Sequence, residues 1–323
     1  MLVIVAPGQG AQTPGFLSPW LELDGVTDRL SGWSEVAGLD LVHAGTEASA
    51  EEIKDTAVAQ PLLVAAGLVT AGVLFPDGDT ATAPVGAVAG HSVGEITAAA
   101  FAGVLTAHDA LTFVRERSLA MAEAAAATET GMAALLGGDP EVVAAKLAEH
   151  GLTAANNNGG GQIVAAGTLP QLDALRADPP AGARLVALKV AGAFHTTHMA
   201  PGVERLSKLA PTLPVADPRI TYVSNQDGGV VATGDELLRR LVSQVSNPVR
   251  WDLCMETLQQ LGATAVIELA PAGTLTGLVK RNLKGVASLA LKTPADLDKA
   301  RALIAEHAGQ GREDSGQEQE QQA

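Results

Sequence analysis

The segment Gly90-His91-Ser92-Val93-Gly94 lies between an apolar run, Val85 to Gly90, and a helical pattern that begins at Val93. A chain that turns from strand to helix in so few residues must strain the backbone at the central residue. Side chains two positions to either side would collide there, which accounts for glycine at 90 and 94. The central hydroxyl is then presented at the end of a sheet, beside a helix N-terminus whose free N–H groups can receive an oxyanion. A tight turn with a capping serine has the same local spelling, but the strand before and the helix after favour a nucleophile. The segment commits the chain to the α/β class and offers Ser92 as a reactive group.

Other apolar runs fit that class. Leu2 to Ala6 ends at Pro7-Gly8 and predicts a buried strand feeding a Gly-rich loop. The stretch from about Pro19 to Ala50 is polar and predicts loop. Pro61 to Leu74 predicts a helix apolar nearly all round, hence buried, and Ala107 to Ala126 another helix. From residue 128 to 190 the grammar changes: strand, helix, two short strands joined by Asn156–Asn158 and Gly159–Gly161, helix, strand. The first of these helices carries Asp139 as N-cap, Pro140 at its first position and Gly151 at its end. The βαββαβ order is that of a ferredoxin-like unit. It is read as inserted at 128–190 into a main domain made of 1–127 and 191–307. The main domain continues with strands near Ile220–Ser224 and Ala265–Ala270 and helices over 236–245, 251–261 and 295–307. Residues 308–323, rich in Gln and Glu, predict a disordered tail.

The formal net charge is −15, a field that repels nucleic acid and anionic membranes. The one cysteine, Cys254, can form neither a disulfide framework nor a cysteine zinc site. The N-terminus lacks the charged start of a signal peptide, and no uninterrupted apolar run reaches the ~18 residues of a membrane span. These features predict a cytoplasmic chain, expected to be monomeric, with no nucleic-acid or membrane partner.

A serine needs a base. Of the seven histidines, His43, His108, His150 and His307 fall in polar or helical surface contexts and predict solvated side chains. His91 adjoins Ser92 and should point away from its hydroxyl. His195 and His198 in GAFHTTHM remain. Asp139, Asp173 and Asp178 are the acids between serine and histidine in chain order, all on the surface of the predicted insertion. A backbone carbonyl is therefore expected to orient the imidazole.

The ordered set PGQGAQTPG, GHSVGEITAA, FVRERSLAM, NNNGGGQIVAAG, GAFHTTHM, SQVSNPVRW and ELAPAGTLTGLVKR resembles the malonyl-CoA:acyl carrier protein transacylases and the acyltransferase domains of polyketide synthases. The resemblance spans Pro7 to Arg281. It implies an α/β-hydrolase-like core with a ferredoxin-like subdomain, and a Ser92–His195 dyad whose histidine is held by main-chain carbonyls near SQVSNPVRW. His198 is then a bystander. It implies an oxyanion hole from the backbone N–H groups of Gln9 and Val93, and a pocket glutamine at Gln244. It gives Arg117 the free carboxylate of malonyl, for which a guanidinium is well shaped; Arg115, two residues away on the helix, points elsewhere. Phe194 implies malonyl over methylmalonyl. The implied reaction is ping-pong transfer from malonyl-CoA to the phosphopantetheine thiol of acyl carrier protein, in fatty acid or polyketide synthesis, with no metal or redox cofactor. Because such carriers are acidic, the basic cluster Lys280, Arg281 and Lys284 is the expected docking point. A serine hydrolase shares the elbow and the histidine, but Arg117 and the insertion argue against it. A decayed, non-catalytic carrier-binding protein is disfavoured because Ser92 and His195 are both present.

Overall fold

The computed structural model describes residues 1–76 and 83–307. Its strands are β1 (Leu2–Ala6), β2 (Ala87–Gly90), β3 (Thr130–Gly137), β4 (Thr153–Asn157), β5 (Gln162–Thr168), β6 (Ala183–Ala187), β7 (Thr221–Val223), β8 (Val230–Val231), β9 (Val249–Arg250), β10 (Ala265–Glu268) and β11 (Ala287–Ala290). Its α-helices are α1 (Val26–Ala37), α2 (Leu41–Thr46), α3 (Thr56–Leu74), α4 (Gly94–Phe101), α5 (Ala107–Ala126), α6 (Pro140–Glu149), α7 (Leu169–Ala177), α8 (Ala200–Leu209), α9 (Gly234–Gln244), α10 (Trp251–Gln260), α11 (Thr274–Asn282) and α12 (Leu297–His307).

One sheet has the order β11-β10-β1-β2-β7-β8, parallel except for the β7–β8 pair. Successive side chains of a strand point to opposite faces. In β1, Leu2 and Ile4 join one hydrophobic core while Val3 and Val5 join another. Both faces are therefore covered, which is why these strands read as unbroken apolar runs rather than alternating ones. The second sheet has the order β6-β3-β5-β4-β9. Its β6–β3, β3–β5 and β5–β4 pairs are antiparallel, and the β4–β9 pair is parallel. Helices α6 and α7 cover its small core of Val143, Leu147, Leu172 and Leu175.

Three expectations need correction. The stretch predicted as loop from 19 to 50 contains α1 and α2. Helix α1 buries Val26, Leu30 and Ala37 with Trp33 packed alongside, a helical stripe obscured by the polar residues and Gly32 between its members. Left-handed Gly25 and Gly38 bracket it. Second, α3 starts at Thr56, not Pro61, because Asp55 caps it by accepting from the Ala57 N–H at 2.8 Å. Pro61 marks the interior of the helix, not its first turn. At 19 residues α3 is long and apolar enough to cross a bilayer by length and mean hydropathy, although Gln60 and Thr70 interrupt its apolar run. It is largely buried here, packed against α4 and α5. Third, His150 and His307 are not solvated: their side chains are 15% and 11% exposed, and His307 Nδ1 lies 2.8 Å from Thr264 Oγ1. The predicted tail at 308–323 lies outside the described residues.

Candidate active site

The turn between β2 and α4 is as tight as its spelling requires. A Cβ on Gly90 would stand 2.1 Å from the Gly94 carbonyl carbon, and one on Gly94 2.1 Å from the Ala6 carbonyl oxygen. Ser92, between them, has φ 52°, a left-handed conformation rare for a residue with a side chain. Strain of this kind persists only where the surroundings enforce it; here the close packing of the elbow on β1 does so. The N–H groups of Gly94 and Glu95 close the turn on the carbonyls of His91 and Ser92, each at 3.0 Å. The N–H groups of Val93 and Gln9 bond to no group among the described residues, and both residues line the cavity over Ser92. Gln9 turns its side-chain amide away, donating to the Lys54 carbonyl at 3.1 Å.

His195 has φ 61°, and its Nε2 lies 2.7 Å from Ser92 Oγ. Its Nδ1 lies 2.8 Å from the backbone carbonyl of Gln244. A carbonyl only accepts, so Nδ1 carries the proton and Nε2 is left to accept one from the serine. Burial, and then the positive charge of Arg117, hold the imidazole far below its ordinary pKa, at about 3. It is neutral and ready to act as a base at neutral pH. His198 is half-buried and absent from the cavity lining. The three aspartates lie elsewhere: Asp139 caps α6, Asp173 pairs with Arg176 and Asp178 with Lys146.

Arg117 is 1% exposed, deep in α5. Its Nη1 donates to Gln60 Oε1 at 2.5 Å, and its Nη2 to Gln244 Oε1 at 2.7 Å and Ser92 Oγ at 3.2 Å. Its Nε has no partner among the described residues. A buried cation held by neutral amides and a hydroxyl, with no carboxylate bonded to it among the described residues, is under-neutralised. Burial accordingly pulls its pKa down to about 9, opposed by the charge of Glu95. An anion brought beside the arginine would offset the cost of that burial. Arg115, as expected, points elsewhere, packing on Gly38.

These groups border a cavity of about 290 Å³ between the two sheets. Phe194, 6% exposed, forms part of its wall. Asn158 brings the second sheet to the elbow, its Oδ1 2.9 Å from His91 Nε2; His91 thus points away from the Ser92 hydroxyl as expected. Arg281 reaches the cavity rim from α11, while Lys280 and Lys284 stay on the exposed surface. One participant was missed in the sequence, Gln60. Gln60 is an amide inside the otherwise apolar run of α3, and that isolation was its signal.

The chain is similar to known proteins over most of its length. The family described as Acyl transferase domain matches residues 3–311. A Malonyl CoA-acyl carrier protein transacylase of Mycobacterium tuberculosis is 51% identical over 298 residues, 92% of this chain and 98% of the relative. The crystal structure of MCAT from Mycobacterium tuberculosis has a TM-score of 0.89 at 51% identity, covering 93% of this chain and 99% of that one. A malonyl-transacylase solved in complex with its type II PKS acyl-carrier protein has a TM-score of 0.85 at 29% identity, covering 93% and 98%.

Proposed function

Since the chain belongs to the acyl transferase domain family, we propose that it moves malonyl from coenzyme A to the phosphopantetheine thiol of acyl carrier protein through a malonyl-Ser92 ester. The transfer itself follows from the relatives, which are malonyl CoA-acyl carrier protein transacylases. The ester route rests on one observation: Ser92 Oγ sits between a neutral imidazole at 2.7 Å and a buried, carboxylate-free guanidinium at 3.2 Å.

In the first half-reaction Ser92 Oγ attacks the thioester carbonyl and His195 Nε2 takes the hydroxyl proton. The tetrahedral oxyanion is received by the Val93 and Gln9 N–H groups, a preorganised pair costing nothing to orient at the moment of reaction. The C–S bond breaks, the coenzyme A sulfur takes the proton from His195, and malonyl remains on Ser92 with its carboxylate on Arg117. In the second half the carrier thiol gives its proton to Nε2, its sulfur attacks the ester, and the Ser92 oxygen leaves and recovers that proton. No step uses a metal or a redox group.

Several finer readings belong to the same proposal. Strand order β6-β3-β5-β4 around two helices supports residues 128–190 as a ferredoxin-like unit set into a hydrolase-like core. Phe194 fills the space an α-methyl would need. Phe194→Ser is therefore expected to admit methylmalonyl-CoA, read as its kcat/KM relative to malonyl-CoA; an unchanged ratio removes this role. The basic cluster Lys280, Arg281 and Lys284, of which Arg281 reaches the cavity rim, is the docking point proposed for an acidic carrier; it is a local patch of positive charge on a chain that is itself acidic overall.

Initial rates at several fixed carrier concentrations test the route. A covalent intermediate gives parallel double-reciprocal lines against malonyl-CoA, while direct transfer in a ternary complex gives intersecting ones. In the same assay Lys280→Glu should raise KM for the carrier and leave that for malonyl-CoA unchanged.

A further inference from the structure

Beneath the elbow lies a second polar layer that the reaction above leaves without a task. Glu95, 1% exposed in the first turn of α4, accepts from the Asn225 backbone N–H at 2.6 Å through Oε1 and from Gln244 Nε2 at 2.5 Å through Oε2. The same Nε2 also donates to the Ser92 carbonyl at 3.0 Å. The other end of that amide, Oε1, accepts from Arg117, and the backbone carbonyl of Gln244 holds His195. Gln244 thus touches the nucleophile's backbone, the base and the cation at once, and Glu95 is what stands behind it.

We propose that Glu95 is a positioning residue for malonyl recognition: its carboxylate fixes which way round the Gln244 amide sits, and so presents oxygen rather than NH₂ to Arg117. This inference rests on the assignment of Arg117 to the malonyl carboxylate.

An amide can be turned over, exchanging its oxygen and nitrogen at little steric cost. Turned over here, its NH₂ would face the guanidinium, donor against donor, and displace the fork. An ionised carboxylate only accepts, so Glu95 and the Ser92 carbonyl together require NH₂ on their side. Glutamine at 95 would have the same shape but one oxygen and one NH₂. It could not accept from both Asn225 N–H and Gln244 NH₂, and only the Ser92 carbonyl would still hold the amide in order.

The charged and titratable groups facing Glu95 are Arg117 from α5, Tyr222 from β7 and Cys254 from α10. Burial raises Tyr222 and Cys254 well above their ordinary values, so both stay neutral. Burial likewise pushes Glu95 up to about 7, against the hydrogen bonds that favour its ionised form. Below that pH Glu95 gains a proton and becomes a donor, the same change of polarity that glutamine would impose.

The test compares malonyl-CoA with acetyl-CoA, which offers the same thioester without the carboxylate. Glu95→Gln is expected to lower the malonyl-over-acetyl preference about tenfold, chiefly through KM for malonyl-CoA. Glu95→Asp, which keeps an acceptor-only group, should recover part of it. In the wild type, KM for malonyl-CoA should rise as pH falls below 7 while that for acetyl-CoA does not; in Glu95→Gln the malonyl profile should be flat. If Glu95→Gln does not fold, the wild-type pH profile and Glu95→Asp carry the test. Equal losses for both thioesters, or a wild-type malonyl KM that does not move with pH, overturn the inference. Arg117→Ala, run alongside, separates the two levels. If it loses the preference while Glu95→Gln keeps it, only the role of Glu95 falls; if Arg117→Ala keeps it, both fall.

Discussion

Arg117→Ala is expected to lower kcat/KM for malonyl-CoA by about 10²–10³-fold while acetyl-CoA changes far less, so that the preference for malonyl collapses. The magnitude follows from the environment. A charged pair made where water is excluded costs roughly 2–5 kcal/mol when one partner is truncated, and each ~1.4 kcal/mol is a factor of ten. Arg117 is buried, its Nε is unpartnered among the described residues, and its other bonds go to the amides of Gln60 and Gln244 and the Ser92 hydroxyl. The cost of burying that charge is carried whether or not substrate is present, and an arriving carboxylate relieves it. Lysine is not expected to restore function fully, because the two glutamines are placed for a planar fork rather than a single ammonium. The measurement is competition between the two thioesters in one reaction. Equal losses for both would show that Arg117 merely supports the fold.

Ser92→Ala is expected to lower transfer by a factor on the order of 10⁴ or more, because the dyad acts as a unit and what remains comes only from binding and the oxyanion donors. The fold should survive, since Gly90 and Gly94, not the hydroxyl, permit the turn. Its melting temperature should therefore stay close to that of the wild type. A variant that unfolds would mean that the hydroxyl braces the elbow. One that folds and still transfers malonyl at a comparable rate would remove the covalent route.

How much of this was legible depended on distance along the chain. The elbow could be read because its cause is local: two glycines, a strand before and a helix after, within a handful of residues. Strands β1 and β2 could be read because burial on both faces leaves no alternation to mask the apolar run. The backbone carbonyl that orients His195 was anticipated because no aspartate in chain order stood in a suitable place. Choosing His195 over His198 depended on the family resemblance; in the structure the left-handed backbone at His195 aims the ring at Ser92. What could not be read is long-range or thinly spelled. The Gln244–Glu95 bond joins residues 149 positions apart, and Gln60 meets Arg117 across 57. Helix α1 hides its stripe of Val26, Leu30 and Ala37 among polar neighbours. Helix α11, which brings Thr274, Leu275, Leu278 and Arg281 to the cavity, follows a turn whose geometry is set by a buried acid. Glu268 accepts from the N–H groups of Gly273, Leu275 and Thr276 at 2.8–2.9 Å, a cap invisible from composition.

The covalent serine ester is the claim on which the rest depends, and the intact mass of the protein tests it most directly. After brief mixing with malonyl-CoA and removal of excess substrate, the wild type should gain one malonyl group, mapped by peptide analysis to Ser92. The adduct should persist in buffer alone and vanish when holo acyl carrier protein is added, with the carrier gaining the lost mass. Ser92→Ala should gain nothing. An adduct on another residue, none at all, or one that water removes as fast as the carrier does would contradict the account.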